Sequence, residues 1–161
     1  TALAFLIRER TLIVANTGDC RLLLISENKE IQLTTDHRVT NKDELDRLLA
    51  SGATIKGNRV FSGEFGMNIS RALGDLALKK VGVTEQPDVG IYKLPRQYTL
   101  VAATDGLWCY MKNDQVSKIA SLDLSAEEMS QEMIRIIKLR SQKYKYLDNT
   151  TLITLKQNEN E

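Results

Sequence analysis

The sequence predicts an α+β fold of antiparallel β-sheets with helices packed outside them. Three observations predict it. Short apolar runs joined by tight turns open the chain. Capped amphipathic segments are interspersed among them. A final apolar run, "TTLITLK", closes the order of elements on a strand.

Taken in order, "ALAFLI" and "TLIVAN" flank "RER" and read as a hairpin. "TGDC" is a turn, "RLLLIS" a third strand, and "IQLT" a candidate fourth. "TNKDELDRLLASG" is a helix: Asn41 caps it, Glu44 stands three residues on, Leu45, Leu48 and Leu49 share a face, and Gly52 stops it. Residues 53–90 are glycine-rich and irregular, with short strands expected near Val60 and Val89. A strand at 99–103 follows, then a short helix after Asn113 carrying Val116, Ile119 and Ala120. Ser125 and Glu128 form a capping box for a longer helix. Its buried stripe is Met129, Met133, Ile136 and Ile137, and Lys138 and Arg140 suit its C-terminal end.

The bulk numbers exclude several classes. The 161 residues suit one domain with a core, and 42% hydrophobic with 27% charged residues is a globular composition. Twenty-two basic against 21 acidic residues give a net charge of +1, which offers no electrostatic case for nucleic acid or a membrane surface. No apolar run is long enough to span a bilayer, and the first segment lacks the basic region and cleavage site of a signal peptide. No G-rich strand-to-helix loop of the dinucleotide or P-loop kind is present. Cys20 and Cys109 have no CxxC spacing, which suits a reducing compartment. The expected location is intracellular, cytoplasmic or nuclear.

Three acids stand out by position. Asp19 lies in a turn between two strands, Asp105 at the tip of strand 99–103, and Asp148 just before the last strand. If those strands are neighbours, the carboxylates converge at one rim, where hard oxygen donors suit Mg or Mn. Singly, each acid is an ordinary turn former. His37, the only histidine, reads as a structural hydrogen bonder and Trp108 as a core anchor. Arg71 reads either as a phosphate ligand or as a brace for the turn at Asp75.

The order of motifs is more specific. "ANTGDCRLLLI", "LTTDHRVTNKDELDRLLASGATI", "NRVFSGEFGMNISRALGD", "QPDV", "LVAATDGLWCYM" and "DNTTLITL" follow one another. This series resembles the metal-dependent Ser/Thr protein phosphatases of the PPM, or type 2C, family. The resemblance implies two antiparallel sheets stacked as a sandwich and flanked by helices (αββα), here incomplete at the N-terminus. The family-like domain is assigned to residues 1–156 and a polar tail to 157–161. The resemblance also implies hydrolysis of phosphoserine and phosphothreonine in phosphoprotein substrates, by water activated at a pair of Mg or Mn ions. By position, Asp105 and Asp148 match two ligands of that pair, and Asp19 matches a ligand of a third, peripheral metal.

The departures carry equal weight. The family's upstream Glu-Asp strand and Asp-Gly-His-Gly segment have no counterpart in these residues. The bridging carboxylate, the general acid and a phosphate-binding Arg are therefore lacking, and the expectation is that this segment alone is not a competent catalyst. It should be poorly stable, with bare edges and apolar faces, unless the missing N-terminal segment of the same domain covers it. Cys109 stands where the family usually has Asp. A thiol is a poor ligand for a hard ion, which weakens the expected peripheral site. A second reading follows from these departures: a catalytically inactive pseudophosphatase that acts as a protein-binding scaffold, with kinases among its possible partners.

Overall fold

A computed structural model describes residues 1–27, 29–144 and 148–158. The opening hairpin is β1 (Ala2–Arg8) and β2 (Thr11–Thr17), followed by β3 (Arg21–Ser26) and β4 (Lys29–Gln32). Helix α1 (Lys42–Ala50) comes next, then β5 (Thr54–Lys56), β6 (Arg59–Ser62), β7 (Phe65–Met67) and the short α2 (Leu76–Lys79). The chain continues through β8 (Asp88–Lys93), β9 (Tyr98–Ala103), α3 (Asp105–Trp108), α4 (Asn113–Ala120), α5 (Ala126–Tyr144) and β10 (Leu152–Gln157).

Two antiparallel sheets stack. One has the order β1-β2-β8, the other β10-β9-β3-β4. The "RLLLIS" run is continuous because β3 is buried on both faces. Leu22 and Leu24 face the first sheet, joining Leu12, Val14, Leu100 and Ala102 in the sandwich interior. Leu23 and Ile25 face the other way, joining Val101, Ala103, Leu107, Met129, Met133 and Ile137 under the helices. A third cluster of Leu48, Val60, Leu78 and Val83 seats α1 and α2 on the small sheet β5-β6-β7.

The expected strand near Val60 is thus the centre of a three-stranded meander. Its turns at Gly57 (φ +58°) and Gly63 (φ +62°) need the left-handed backbone that glycine adopts freely. β4 lies two residues earlier than "IQLT". β10 reaches Gln157, the first residue of the expected tail, and residues 159–161 lie outside the described ones. The Ser125–Glu128 box forms: Ser125 N–H donates to the Glu128 carboxylate at 2.8 Å, and Glu128 N–H to Ser125 Oγ at 3.2 Å. Asn41 caps α1 by accepting from Asp43 N–H at 3.0 Å, but Glu44 does not complete a box there. Its carboxylate is drawn into the protein, as described below. Leu49 leaves the expected buried face and is 52% exposed.

Among the described residues, helices cover only one side of the sandwich. The outer face of β1-β2-β8 presents a row of Leu6, Ile13 and Ile91 in register, with Val89 beside it; Leu6, Val89 and Ile91 are each more than 60% exposed. No described helix is long and apolar enough to cross a membrane.

Candidate functional site

The tips of β2, β9 and the loop before β10 meet at one end of the sandwich. Asp105 opens α3 directly after β9, a strand buried along its whole length. Gly106 is required there by close approach. A Cβ on it would lie 2.4 Å from the Asn149 carbonyl oxygen and 2.5 Å from Thr150 Oγ1. Thr104 staples the same two loops: its N–H donates to the Thr151 carbonyl at 3.1 Å, and its Oγ1 accepts from Thr151 N–H at 3.1 Å. Asp105 and Asp148 are therefore held as neighbours by backbone. Asp148 Oδ1 accepts from Asn149 N–H at 2.8 Å.

Asp19 reaches the same rim from the β2–β3 turn, through Gly18 with φ +103°. Burial pushes the Asp105 carboxyl up from its ordinary range, and the charges of Asp19 and then Asp148 push it further. Asp105 thus feels the charges of both other acids named from the sequence. Arg38 lies among them. Its Nη2 is 2.9 Å from Asp19 Oδ2 and 3.8 Å from Asp105 Oδ2, and its side chain also bonds to Cys109. Its Nε is buried without a partner. Arg38 was not among the site residues read from the sequence. The signal available was its place directly after "DH" in a motif.

Cys109 is exposed at the same rim. Desolvation and then the Asp105 charge push its thiol up, against the pull of Arg38.

Behind the rim runs a buried polar chain. Glu44, 4% exposed, accepts from Arg71 Nη2 at 2.6 Å, Arg47 Nη2 at 2.8 Å and Ser70 Oγ at 2.5 Å. Burial raises its pKa, and the bonds from Arg71, Arg47 and Ser70 outweigh that and bring it to about 2. Arg71 Nη1 donates to Asp88 Oδ1 at 2.7 Å, and Asp88 Oδ2 lies 3.0 Å from His37 Nε2. Arg71 is therefore neither a free phosphate ligand nor a brace for Asp75. Both its ends are held by carboxylates. His37 is structural, as expected. Trp108 is only partly buried: it packs at the edge of the helix-side core, donates to the Ala103 carbonyl at 2.9 Å and stacks under Arg21.

The rim suits a hard cation in donor type and in charge, since the charges of Asp19 and Asp148 both bear on Asp105. It is a partial set. Among the described residues, no group of three or more His, Cys, Asp or Glu is close enough to hold a metal ion.

Comparison with known proteins decides the family. The model of the family described as Protein phosphatase 2C matches residues 1–150. The chain belongs to the protein phosphatase 2C family. Among curated members, it is 39% identical over 125 residues to protein phosphatase ppm-1.G of Caenorhabditis elegans, which covers 72% of this chain and 25% of that protein. It is 33% identical to a probable protein phosphatase 2C of Paramecium tetraurelia, over 84% of this chain and 47% of that one. The fold of the serine-threonine phosphatase 2C of Toxoplasma gondii superposes with a TM-score of 0.80 at 24% identity, covering 96% of this chain and 57% of the other. The chain thus spans about a quarter to a half of the length of these two curated relatives. In this PP2C chain, the stapled Asp105 and Asp148 loops lie within the matched region.

Proposed function

We propose that this PP2C chain supplies part of the active site of a Mg- or Mn-dependent protein serine/threonine phosphatase. The observation that carries the reading is the joining of the Asp105 and Asp148 loops, with Asp19 brought to the same rim. Asp105 and Asp148 would hold the catalytic metal pair and Asp19 a peripheral ion. When bound, such a pair activates water and stabilises the phosphoryl oxygens during displacement at phosphorus. The chain's own part is positioning. β9 delivers Asp105 from a rigid, fully buried strand. Gly106 lets the Asp148 loop approach, and Thr104 fixes its distance. Arg38 neutralises part of the acidic charge while it is otherwise uncompensated. The two free cysteines support an intracellular location, in the cytoplasm or nucleus. Phosphoproteins are the proposed substrates.

The test is release of phosphate from a phosphothreonine peptide by the full-length protein, with Mn2+ and with chelator. Activity that requires Mn2+ and falls at least ~100-fold in Asp105→Asn supports the reading. Unchanged turnover in that variant contradicts it. A folded full-length protein with no Mn2+-dependent turnover leaves the scaffold reading in its place.

A further inference from the structure

We infer that His37 is a positioning residue for Asp19, its ring held in one tautomer by Asp88. The inference rests on the metal-rim reading above.

His37 is fully buried and is the only histidine in the chain. It lies beside the turn that carries Asp19, and two bonds tie the residues together. His37 N–H donates to the Gly18 carbonyl at 3.0 Å, and Gly18 N–H donates to His37 Nδ1 at 3.1 Å. Because Gly18 N–H is a donor, Nδ1 must present its lone pair. The ring proton then sits on Nε2, where it meets Asp88 Oδ2 at 3.0 Å. Asp88 is itself fixed by Arg71, and Arg71 by Glu44. The orientation of the ring is thus anchored from α1 across to β8, and its Nδ1 lone pair is held on the Gly18 amide of the turn.

The neighbouring contacts close the clamp. Asn16 Nδ2 donates to the Gly18 and Thr35 carbonyls, both at 3.1 Å. Ser70 N–H donates to the His37 carbonyl at 2.9 Å. The next residue, Arg38, meets the carboxylate of Asp19 itself. The pairs 18–19 and 37–38 therefore interlock. The His37 side chain supplies the acceptor that the Gly18 amide finds among the described residues. Without that acceptor, a buried N–H is left unpaired and the turn opens toward water. The effect of His37 passes through the turn that carries Asp19. Outer-shell partners of this kind commonly govern metal affinity by an order of magnitude or more.

Two substitutions separate the arms of the ring. In His37→Asn the amide oxygen falls near Nδ1 and can still accept from Gly18. In His37→Gln the amide nitrogen reaches the Nε2 position and keeps the bond to Asp88, but the Gly18 acceptor is lost. Two measurements are made on the full-length protein. The first is the long-range proton–nitrogen spectrum of His37, which needs Nε2–H at neutral pH; an Nδ1–H ring overturns the inference. The second is Mn2+ binding followed by electron paramagnetic resonance. His37→Gln should weaken binding about tenfold, and His37→Asn should restore most of it. A folded His37→Gln with wild-type affinity overturns the clamp and leaves the metal rim standing. A wild-type protein that binds no Mn2+ overturns the rim reading, and the inference with it. Should neither variant fold, Asp88→Ala, which removes the acceptor of the Nε2 proton, replaces them. Asp88 is half exposed, and its loss frees the ring to flip. Unaltered Mn2+ affinity together with an unaltered Nε2–H signal in that variant would remove Asp88 from the account.

Discussion

Arg38 lies 2.9 Å from the carboxylate of Asp19, with its guanidinium turned toward Asp105 as well. A fixed cation therefore sits among acids that burial and mutual repulsion would otherwise destabilise. Arg38→Met should lower the melting temperature of the metal-free protein by roughly 5 °C, about 1–2 kcal/mol for a domain of this size, because it leaves the buried Asp19 carboxylate without its partly exposed partner. Mn2+ should then raise the melting temperature of the variant more than that of the wild type. Thermal scans with and without Mn2+ check both parts.

Gly106 owes its identity to the approach of the Asn149 backbone. Gly106→Ala must push the 148–150 loop away from Asp105, because the atom met at 2.4 Å is backbone and cannot swing aside. The expected cost is about 1–3 kcal/mol in chemical denaturation, together with weaker Mn2+ binding. A variant of wild-type stability would show that the two loops are not in contact.

Glu44 sets a dependence on acid. Its pKa falls from 4.5 in the unfolded chain to about 2 when folded. Its stabilisation is complete above the unfolded value and is lost as pH falls through the folded one. The denaturation midpoint should therefore drop between pH 4.5 and 2, and Glu44→Gln should flatten that part of the curve while lowering stability at pH 7. Urea titrations across this range read the effect directly.

Cys109 offers a soft sulfur beside hard oxygens. Cys109→Asp should tighten Mn2+ binding and weaken Cd2+ binding relative to wild type, since carboxylate favours the harder ion. The same change adds a like charge next to Asp105 and should lower the melting temperature without metal. Competitive metal titration tests the first expectation and a thermal scan the second.

Local signals in the sequence were legible where the structure uses them locally. The run Leu22–Ile25 announced a strand, and Ser125 with Glu128 announced a helix start. The rim acids were visible because each sits at a strand end, and motif order gave them a common purpose. The polar chain behind them was not legible. Glu44 looked like a capping residue, yet its partners Ser70 and Arg71 are 26 and 27 residues away. His37 and Asp88 are 51 residues apart. Such pairings are made by tertiary packing and leave no period in the sequence. The meander at residues 54–67 did leave a trace, in Gly57 and Gly63 six positions apart, but strands of three and four residues are too short to show alternation.

The central claim is that Asp105 and Asp148 share a metal site. Anomalous diffraction at the manganese edge, from crystals of the full-length protein grown with Mn2+, tests it most directly. Density in contact with both carboxylates is expected, as is its loss at that position in Asp105→Asn. Manganese bound elsewhere, with Asp105 and Asp148 making no contact to it, would contradict the account.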